Sequence, residues 1–342
     1  MLSRNDRIFY FDEIRALAIL FVLLAHTIKN FPINVNYLTS PTLLSYLTIS
    51  RMGVPLFFML SGALLIGKDY PLSEFFKKRF SRVLVPAIFW YIILFISVAA
   101  INGFNFGLIH IWIYDASFPW FVCAIIGVYL VIPIFSAFVK EYGTRGAEYF
   151  IFVWLILVIL TNFNVAQDYY PSLIFGNIGI NIGYAVLGYY LSNKEFNIYS
   201  LPMVIFSGTI FIVCLVFNMY YAYYFTNVVY IESLSIIIQC SALFLILRYL
   251  SKYASFNPSK TLSKIHNFIK DSSIGMFIYI LSICSYTIYL MHYHIVNLLI
   301  QYYPITTFNL VPVVFILLTV ISLAITIILS KIPILNKMIG IH

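Results

Sequence analysis

The first apolar segment of the chain carries an arginine and a histidine at a spacing that could support acid–base chemistry. Arg15 lies near its start, and His26 follows eleven residues later, about 16 Å further along a helix at 1.5 Å per residue. A histidine at that depth in hydrocarbon must face the bundle interior or water, which makes it a candidate functional residue. Histidine also suits general-base work near neutral pH. The alternative, a histidine that merely bonds a neighbouring carbonyl between helices, stays open at this point.

A basic segment, Lys77-Lys78-Arg79-Phe80-Ser81-Arg82, precedes the third apolar segment. Arg79 and Arg82 are three residues apart and share one face of a helix. Two guanidinium groups on one face could hold a phosphate or pyrophosphate in bidentate fashion, and Lys78 adds a third cation. The alternative is a segment that binds anionic lipid headgroups and fixes the topology.

Further along the chain, acidic and histidine side chains stand inside apolar segments. Glu232 is the one carboxylate well inside a predicted span, and intramembrane acids are usually paired, so it indicates a polar interior. The spacing alone does not decide whether Glu232 meets His26. His292 and His294 are two residues apart and therefore lie on different faces of a helix, which argues against a shared metal. No metal site is expected.

The composition shows which elements must position these residues. Of 342 residues, 62% are hydrophobic and 9% are charged, and the mean hydropathy is +0.96. A soluble domain has about 45–50% apolar and about 25% charged residues, and disorder requires low hydrophobicity, so both classes are excluded. The four cysteines stand singly inside apolar runs and are typical of small buried hydrophobes. The chain is predicted to be a polytopic membrane protein.

About ten apolar stretches are long enough to cross a bilayer. They lie near residues 9–31, 47–66, 83–101, 120–138, 149–163, 173–191, 201–220, 228–250, 274–303 and 310–329. With the N-terminus inside, all but Lys29 and Arg51 of the 20 Lys and Arg fall on the cytoplasmic side. The net charge of +8 is therefore a sidedness signal rather than a nucleic-acid footprint. We expect an all-α bundle of about ten spans, one domain over residues 1–342, with both termini cytoplasmic.

Small residues inside the apolar segments and the two longest connections between these segments give further predictions. Ser61-Gly62 and the face formed by Gly176, Gly179 and Gly183 indicate close helix packing rather than a nucleophile or a nucleotide loop. The connection 67–82 predicts a helix that ends before Pro86. The connection 251–273 shows no clear periodicity.

In order and spacing, these motifs resemble those of the acyltransferase-3 family, the multipass enzymes that acylate bacterial surface glycans and some antibiotics. The resemblance covers nearly the whole chain. It is carried by Arg15-x10-His26, the run Val54–Gly62, Arg79-x-x-Arg82 followed by Pro86, Trp120-Phe121 with Tyr129 and Pro133, Gly188–Leu191, and Ser285–His292.

The resemblance implies transfer of an acetyl or similar short acyl group from a cytoplasmic donor to a hydroxyl of a cell-surface or lipid-linked glycan. The donor would be acetyl-CoA or a related acyl-CoA, used as a substrate without a permanently bound cofactor. The protein would be a multi-pass protein of the cytoplasmic membrane, with the bilayer, acyl-CoA and a glycan as partners and no nucleic acid.

The same resemblance implies roles for individual residues. His26 would be the general base, with a covalent acyl-histidine relay as a second mechanism. Arg15 would orient the donor or balance Asp12 and Glu13. The donor phosphates would dock on the basic helix, and weaker candidates would line the acceptor pocket. These are Arg79, Arg82 and Lys78 for the donor, and Glu232, Tyr289, His292 and Trp120 for the acceptor.

A different class of function also fits the sequence. Ten spans and an intramembrane glutamate suit a transporter or flippase for a glycan or lipid-linked oligosaccharide, without acyl transfer. Movement of intact glycan, rather than of the acyl group, would identify that class.

Overall fold

The computed structural model describes residues 7–29, 40–103, 120–162, 177–196, 199–225, 233–302 and 310–341. Within these ranges the chain forms helices and no strands, which confirms the predicted all-α class. In chain order the helices are α1 (Phe9–Lys29), α2 (Pro41–Ser50), α3 (Gly53–Leu65), α4 (Leu72–Asn102), α5 (Trp120–Asn162), α6 (Asn177–Asn193), α7 (Ser200–Phe225), α8 (Leu234–Phe256), α9 (Thr261–Asp271), α10 (Ser273–Tyr302), α11 (Val311–Ser330) and α12 (Pro333–Met338).

Seven helical stretches in the described part of the chain are long and apolar enough to cross a membrane. The outward faces of several helices carry large apolar side chains, such as Ile205, Phe206 and Phe217 on α7, each more than half exposed. An apolar outer surface of this extent is suited to lipid rather than water. The protein is therefore a multi-pass membrane protein.

The helix α5 contains a sharp break. Gly143 has φ 61° and ψ −150°, a conformation that glycine adopts at little steric cost. The apolar stretch around it, Trp120–Leu160, is 41 residues long, which is about twice the length that one crossing needs. The total of about ten crossings stays a prediction.

The helix α1 lies at the centre of the bundle. It packs against α10, α3, α2, α11 and α8. Its side chains Ile14, Ala18, Ile19 and Leu23 are fully buried among these neighbours. Because the neighbours hold α1 from several sides, its polar residues Arg15 and His26 are placed inside the protein.

The helices α3 and α6 approach each other closely. A Cβ atom at Gly62 would lie 1.7 Å from the carbonyl oxygen of Ala185, and one at Gly188 would lie 2.0 Å from the carbonyl oxygen of Met59. The two backbones therefore touch at a point where no side chain fits, which is how small residues join membrane helices. The predicted packing role of Gly62 is confirmed.

The glycine face on α6 is also a packing surface where the structure describes it. A Cβ atom at Gly183 would lie 1.9 Å from the ring of Trp154, which is fully buried on α5. This contact confirms the interpretation of Gly183 as a packing residue. Gly176 lies outside the described residues.

The observed helix α4 is longer than the helix that the sequence predicts. The sequence indicated a short helix ending before Pro86, but α4 runs through Pro86 as a single helix of 31 residues. A proline inside a helix removes a backbone hydrogen bond, and neighbouring side chains can compensate in membrane proteins. Near this point the hydroxyl of Tyr286 on α10 donates to the carbonyl of Val83 at 2.7 Å, which ties α10 to α4 but does not replace the missing bond. The local sequence could not reveal this contact with a distant helix.

The connection 251–273 also differs from the sequence-based expectation, because it contains the helix α9. Its apolar side chains Ile265 and Phe268 are exposed, whereas Ser263 and His266 are buried toward the bundle. Burial lowers the pKa of His266. An outward apolar face beside the ends of α8 and α10 is typical of a helix at a membrane interface.

Candidate active site

Two polar contacts define how α1 and α10 lie against each other. Arg15 Nη1 is 3.5 Å from the Ser282 hydroxyl, and the rings of His26 and His292 are 4.6 Å apart between centroids. The numbers increase in the same direction on both helices, so α1 and α10 are parallel. Eleven residues are close to three helical turns, so Arg15 and His26 occupy the same face of α1. The site therefore extends along one seam between two helices.

The first end of this seam holds a network of charged groups. Asp12 is buried and accepts hydrogen bonds from Arg7 at 2.6 Å and from the Ser282 hydroxyl at 2.6 Å. Arg15 reaches the same hydroxyl from the next turn of α1. The carboxylate thus balances Arg7, while Ser282 fixes the level at which Arg15 enters the bundle.

Three arginines surround one tyrosine at this end, and we call Arg15, Arg79, Arg82 and Tyr129 the arginine cluster. Tyr129 lies within electrostatic range of all three guanidinium groups and beside the side chain of Ser61. These groups come from α1, α4 and α5, so only the folded bundle assembles them. Several positive charges at one place form a site for an anion such as a phosphate.

Arg79 in the arginine cluster has a side-chain donor that makes no hydrogen bond among the described residues. The Nε atom of Arg79 is buried without a hydrogen-bond partner among the described residues. Its guanidinium carbon lies 5.9 Å from the ring centre of Phe75, which also lines a groove of about 170 Å³. A buried donor without a partner costs free energy that an anionic ligand could recover.

The other end of the seam holds a pair of histidines. His292 is 3% exposed, and its ring meets His26 at an angle of 68°. The ring of Tyr293 lies 5.8 Å from His26 on the same side. Lys29 and Arg51 are within electrostatic range of His26. The structure therefore brings together two residues, His26 and His292, that the sequence analysis named for different roles.

Aromatic side chains occupy the seam between the two ends. Tyr289 is buried, with its ring 5.5 Å from His292 and 4.9 Å from Phe121. Tyr286 lies within electrostatic range of both Tyr129 and Tyr289. A row of hydroxyls and rings thus links the arginine cluster to the histidine pair.

The remaining predicted residues lie further out. Lys78 is exposed on α4 and Trp120 is 45% exposed at the start of α5; Arg82 is also exposed, although it belongs to the arginine cluster. Phe121 rather than Trp120 packs against Tyr289. Glu232 lies outside the described residues, so its proposed place in the acceptor pocket stays a prediction.

The sequence reasoning missed two residues of this seam. Ser282 carried no signal of its own, although it lies ten residues before His292, nearly the spacing of Arg15 and His26. Tyr129 was noted only as part of a motif, and its place among the arginines required the packing of α5 against α4. Matching the spacing of polar residues on the two helices would have indicated Ser282.

These observations define a multi-pass membrane protein with a cluster of arginines and a histidine pair at opposite ends of one helix seam. The profile of the acyltransferase-3 family, described as an acyltransferase domain, matches residues 8–331. The chain belongs to this family, and its activity at the family level is acyl transfer. Comparison with curated proteins and with solved structures gives no match.

Proposed function

We propose that the protein is an O-acyltransferase that moves an acetyl or similar short acyl group from an acyl-CoA to a glycan hydroxyl. The observation that carries the proposal is the distance between the two ends of the seam. Arg15 and His26 share a face of α1 and are about 16 Å apart along its axis. That is close to the reach of an extended pantetheine arm, which separates the phosphates of coenzyme A from its thioester.

In this arrangement the arginine cluster binds the donor phosphates, and Arg15 orients the arm that enters the bundle. The buried Nε of Arg79 gains an acceptor when a phosphate docks. Lys78, exposed on the same helix, adds charge at the entrance. The thioester carbonyl then lies beside His26.

His26 acts as the general base. It takes the proton of the acceptor hydroxyl while the hydroxyl oxygen bonds to the thioester carbonyl carbon. The carbon–sulfur bond then breaks, and the coenzyme A thiolate recovers a proton from the His26 imidazolium. The products are the O-acyl ester and coenzyme A, so the histidine returns to its starting form.

The proposal places the donor in the cytoplasm and the acceptor on a cell-surface or lipid-linked glycan. It includes the ten-span topology with both termini cytoplasmic, one domain and a location in the cytoplasmic membrane. We assign Tyr289, His292 and Trp120 to the acceptor pocket, together with Glu232 on the basis of the sequence alone. The asymmetric distribution of Lys and Arg over the loops supports the orientation.

The proposal is tested with purified protein in vesicles that contain glycan-bearing lipid from the producing cell. Acetyl-CoA labelled in the acetyl group is added on the side of the arginine cluster, and label on the glycan is measured by scintillation after ester hydrolysis. Transfer of label supports the enzyme. Movement of unlabelled intact glycan across the vesicle membrane, without label transfer, would instead indicate a carrier.

The double variant Arg79→Ala/Arg82→Ala should raise the KM for acetyl-CoA by about tenfold or more, because charged hydrogen bonds contribute about 1.5–3 kcal/mol each. The measurement is initial rate against acetyl-CoA concentration in the vesicle assay. The matched control is Lys77→Ala, which removes an exposed cation from the same helix. An unchanged KM in the double variant would assign the two arginines to topology instead.

A further inference from the structure

The tautomer of His292 is fixed by its own helix. Its Nδ1 atom lies within hydrogen-bond distance of the carbonyl oxygen of Tyr289. A carbonyl only accepts hydrogen bonds, so in the neutral ring the proton is on Nδ1. The other ring nitrogen, Nε2, is then left with a lone pair and can only accept.

The Nε2 atom of His292 contributes no hydrogen bond to the described part of the fold. Nε2 is buried without a hydrogen-bond partner among the described residues, and His292 as a whole is 3% exposed. A buried acceptor without a donor is costly, and such atoms in native proteins call for an explanation. The neighbouring ring of His26, at 4.6 Å between centroids, carries one N–H in its neutral form, on the nitrogen that does not act as the base.

We propose that His292 is a positioning residue, which accepts a hydrogen bond through its Nε2 lone pair from the ring N–H of His26 that takes no part in the proton transfer. This inference rests on the proposed function, because it assigns a partner to the base of that reaction. The other ring nitrogen of His26 then keeps its lone pair for the acceptor hydroxyl, takes the hydroxyl proton and returns it to the coenzyme A thiolate. Orientation of a catalytic base by a third group is the general logic of activated-nucleophile sites.

The groups around His26 and His292 explain why a hydrogen-bond acceptor would stabilise the protonated form of His26. Lys29 and Arg51 are in electrostatic range of His26, and His294 is in electrostatic range of His292. These nearby groups are cationic or titrate to cations, so they oppose the positive charge that forms on His26. A hydrogen bond to a fixed lone pair offsets part of that cost without adding a charge.

Two substitutions of His292 distinguish a role in positioning His26 from a role in packing. His292→Gln keeps an oxygen acceptor near the position of Nε2 but loses the ring, whereas His292→Phe keeps the ring and loses the acceptor. We expect His292→Gln to retain kcat within about tenfold of wild type and His292→Phe to lose about 100-fold, with KM for acetyl-CoA unchanged in both. A purely structural role predicts the opposite order, because phenylalanine preserves the shape of the ring.

Both variants are assayed in vesicles with labelled acetyl-CoA and glycan-bearing lipid, after size-exclusion chromatography shows equal amounts of folded protein. Wild-type kcat in the Phe variant, or a better rate with Phe than with Gln, would overturn the inference. So would an increase in KM at constant kcat. If the wild-type protein transfers no label, the proposed function itself fails; if only the order of Gln and Phe is reversed, the inference fails alone.

Discussion

Replacing His26 with alanine is expected to lower acyl transfer by about 100- to 10,000-fold, the range that a positioned general base contributes. Without His26 the acceptor hydroxyl keeps its proton and attacks the thioester poorly. The arginine cluster lies at the other end of the seam, so the KM for acetyl-CoA should stay near the wild-type value. The measurement is the rate of label transfer to glycan in reconstituted vesicles, with donor concentration varied.

The chain offers a matched control at the same depth. His294→Ala removes a histidine from α10 that is only two residues from His292 but is not in ring contact with His26. Its activity should equal that of the wild type. Retained activity in His26→Ala would rule out this residue as the base. Equal losses in both variants would show that the region is generally sensitive to truncation.

Trapping of label on the protein distinguishes direct transfer from the acyl-histidine relay, with His26→Gln as the control that can form no acyl-histidine. His26→Gln preserves the size and hydrogen-bonding capacity of the side chain but removes both the base and the nucleophile. Rapid-quench experiments on the wild type with acetyl-CoA and no acceptor would trap label on the protein if the relay operates. Absence of protein-bound label, together with transfer when acceptor is present, supports general-base catalysis.

The sequence predicted those features of the site that depend on one helix. Arg15 and His26 both lie on α1, as expected, because eleven residues of an uninterrupted apolar segment specify their separation and their common face. The glycines at positions 62 and 183 were also correctly interpreted, since small residues inside apolar runs have few other uses. Local spacing and composition were enough in each case.

The features that could not be predicted depend on contacts between distant segments. His26 and His292 are separated by more than 260 positions, and nothing in either segment specifies that α1 and α10 are parallel neighbours. The hydrogen bond from Tyr286 on α10 to Val83 beside Pro86 on α4 joins two distant segments in the same way. Similarly, Tyr129 joins the arginines only because α5 packs against α4. Tertiary packing, rather than propensity, decided these cases.

Replacing Gly62 with alanine should destabilise the protein by about 3 kcal/mol, at the upper end of the range for overpacked cores. The added Cβ would lie 1.7 Å from the carbonyl oxygen of Ala185, and a backbone atom cannot move aside by changing rotamer. The helices α3 and α6 must therefore separate. The expected result is a markedly lower midpoint in thermal unfolding of the detergent-purified protein.

Gly208→Ala is the control for this packing argument, because a Cβ atom at Gly208 on α7 meets nothing within 4 Å. There alanine should leave the midpoint unchanged or raise it slightly, since alanine favours the helix over glycine by about 1 kcal/mol. A wild-type midpoint for Gly62→Ala would contradict the close approach of α3 and α6. The displacement also has a functional consequence, because Ser61 lies beside Tyr129 of the arginine cluster. Gly62→Ala should therefore raise the KM for acetyl-CoA even in the fraction of protein that remains folded.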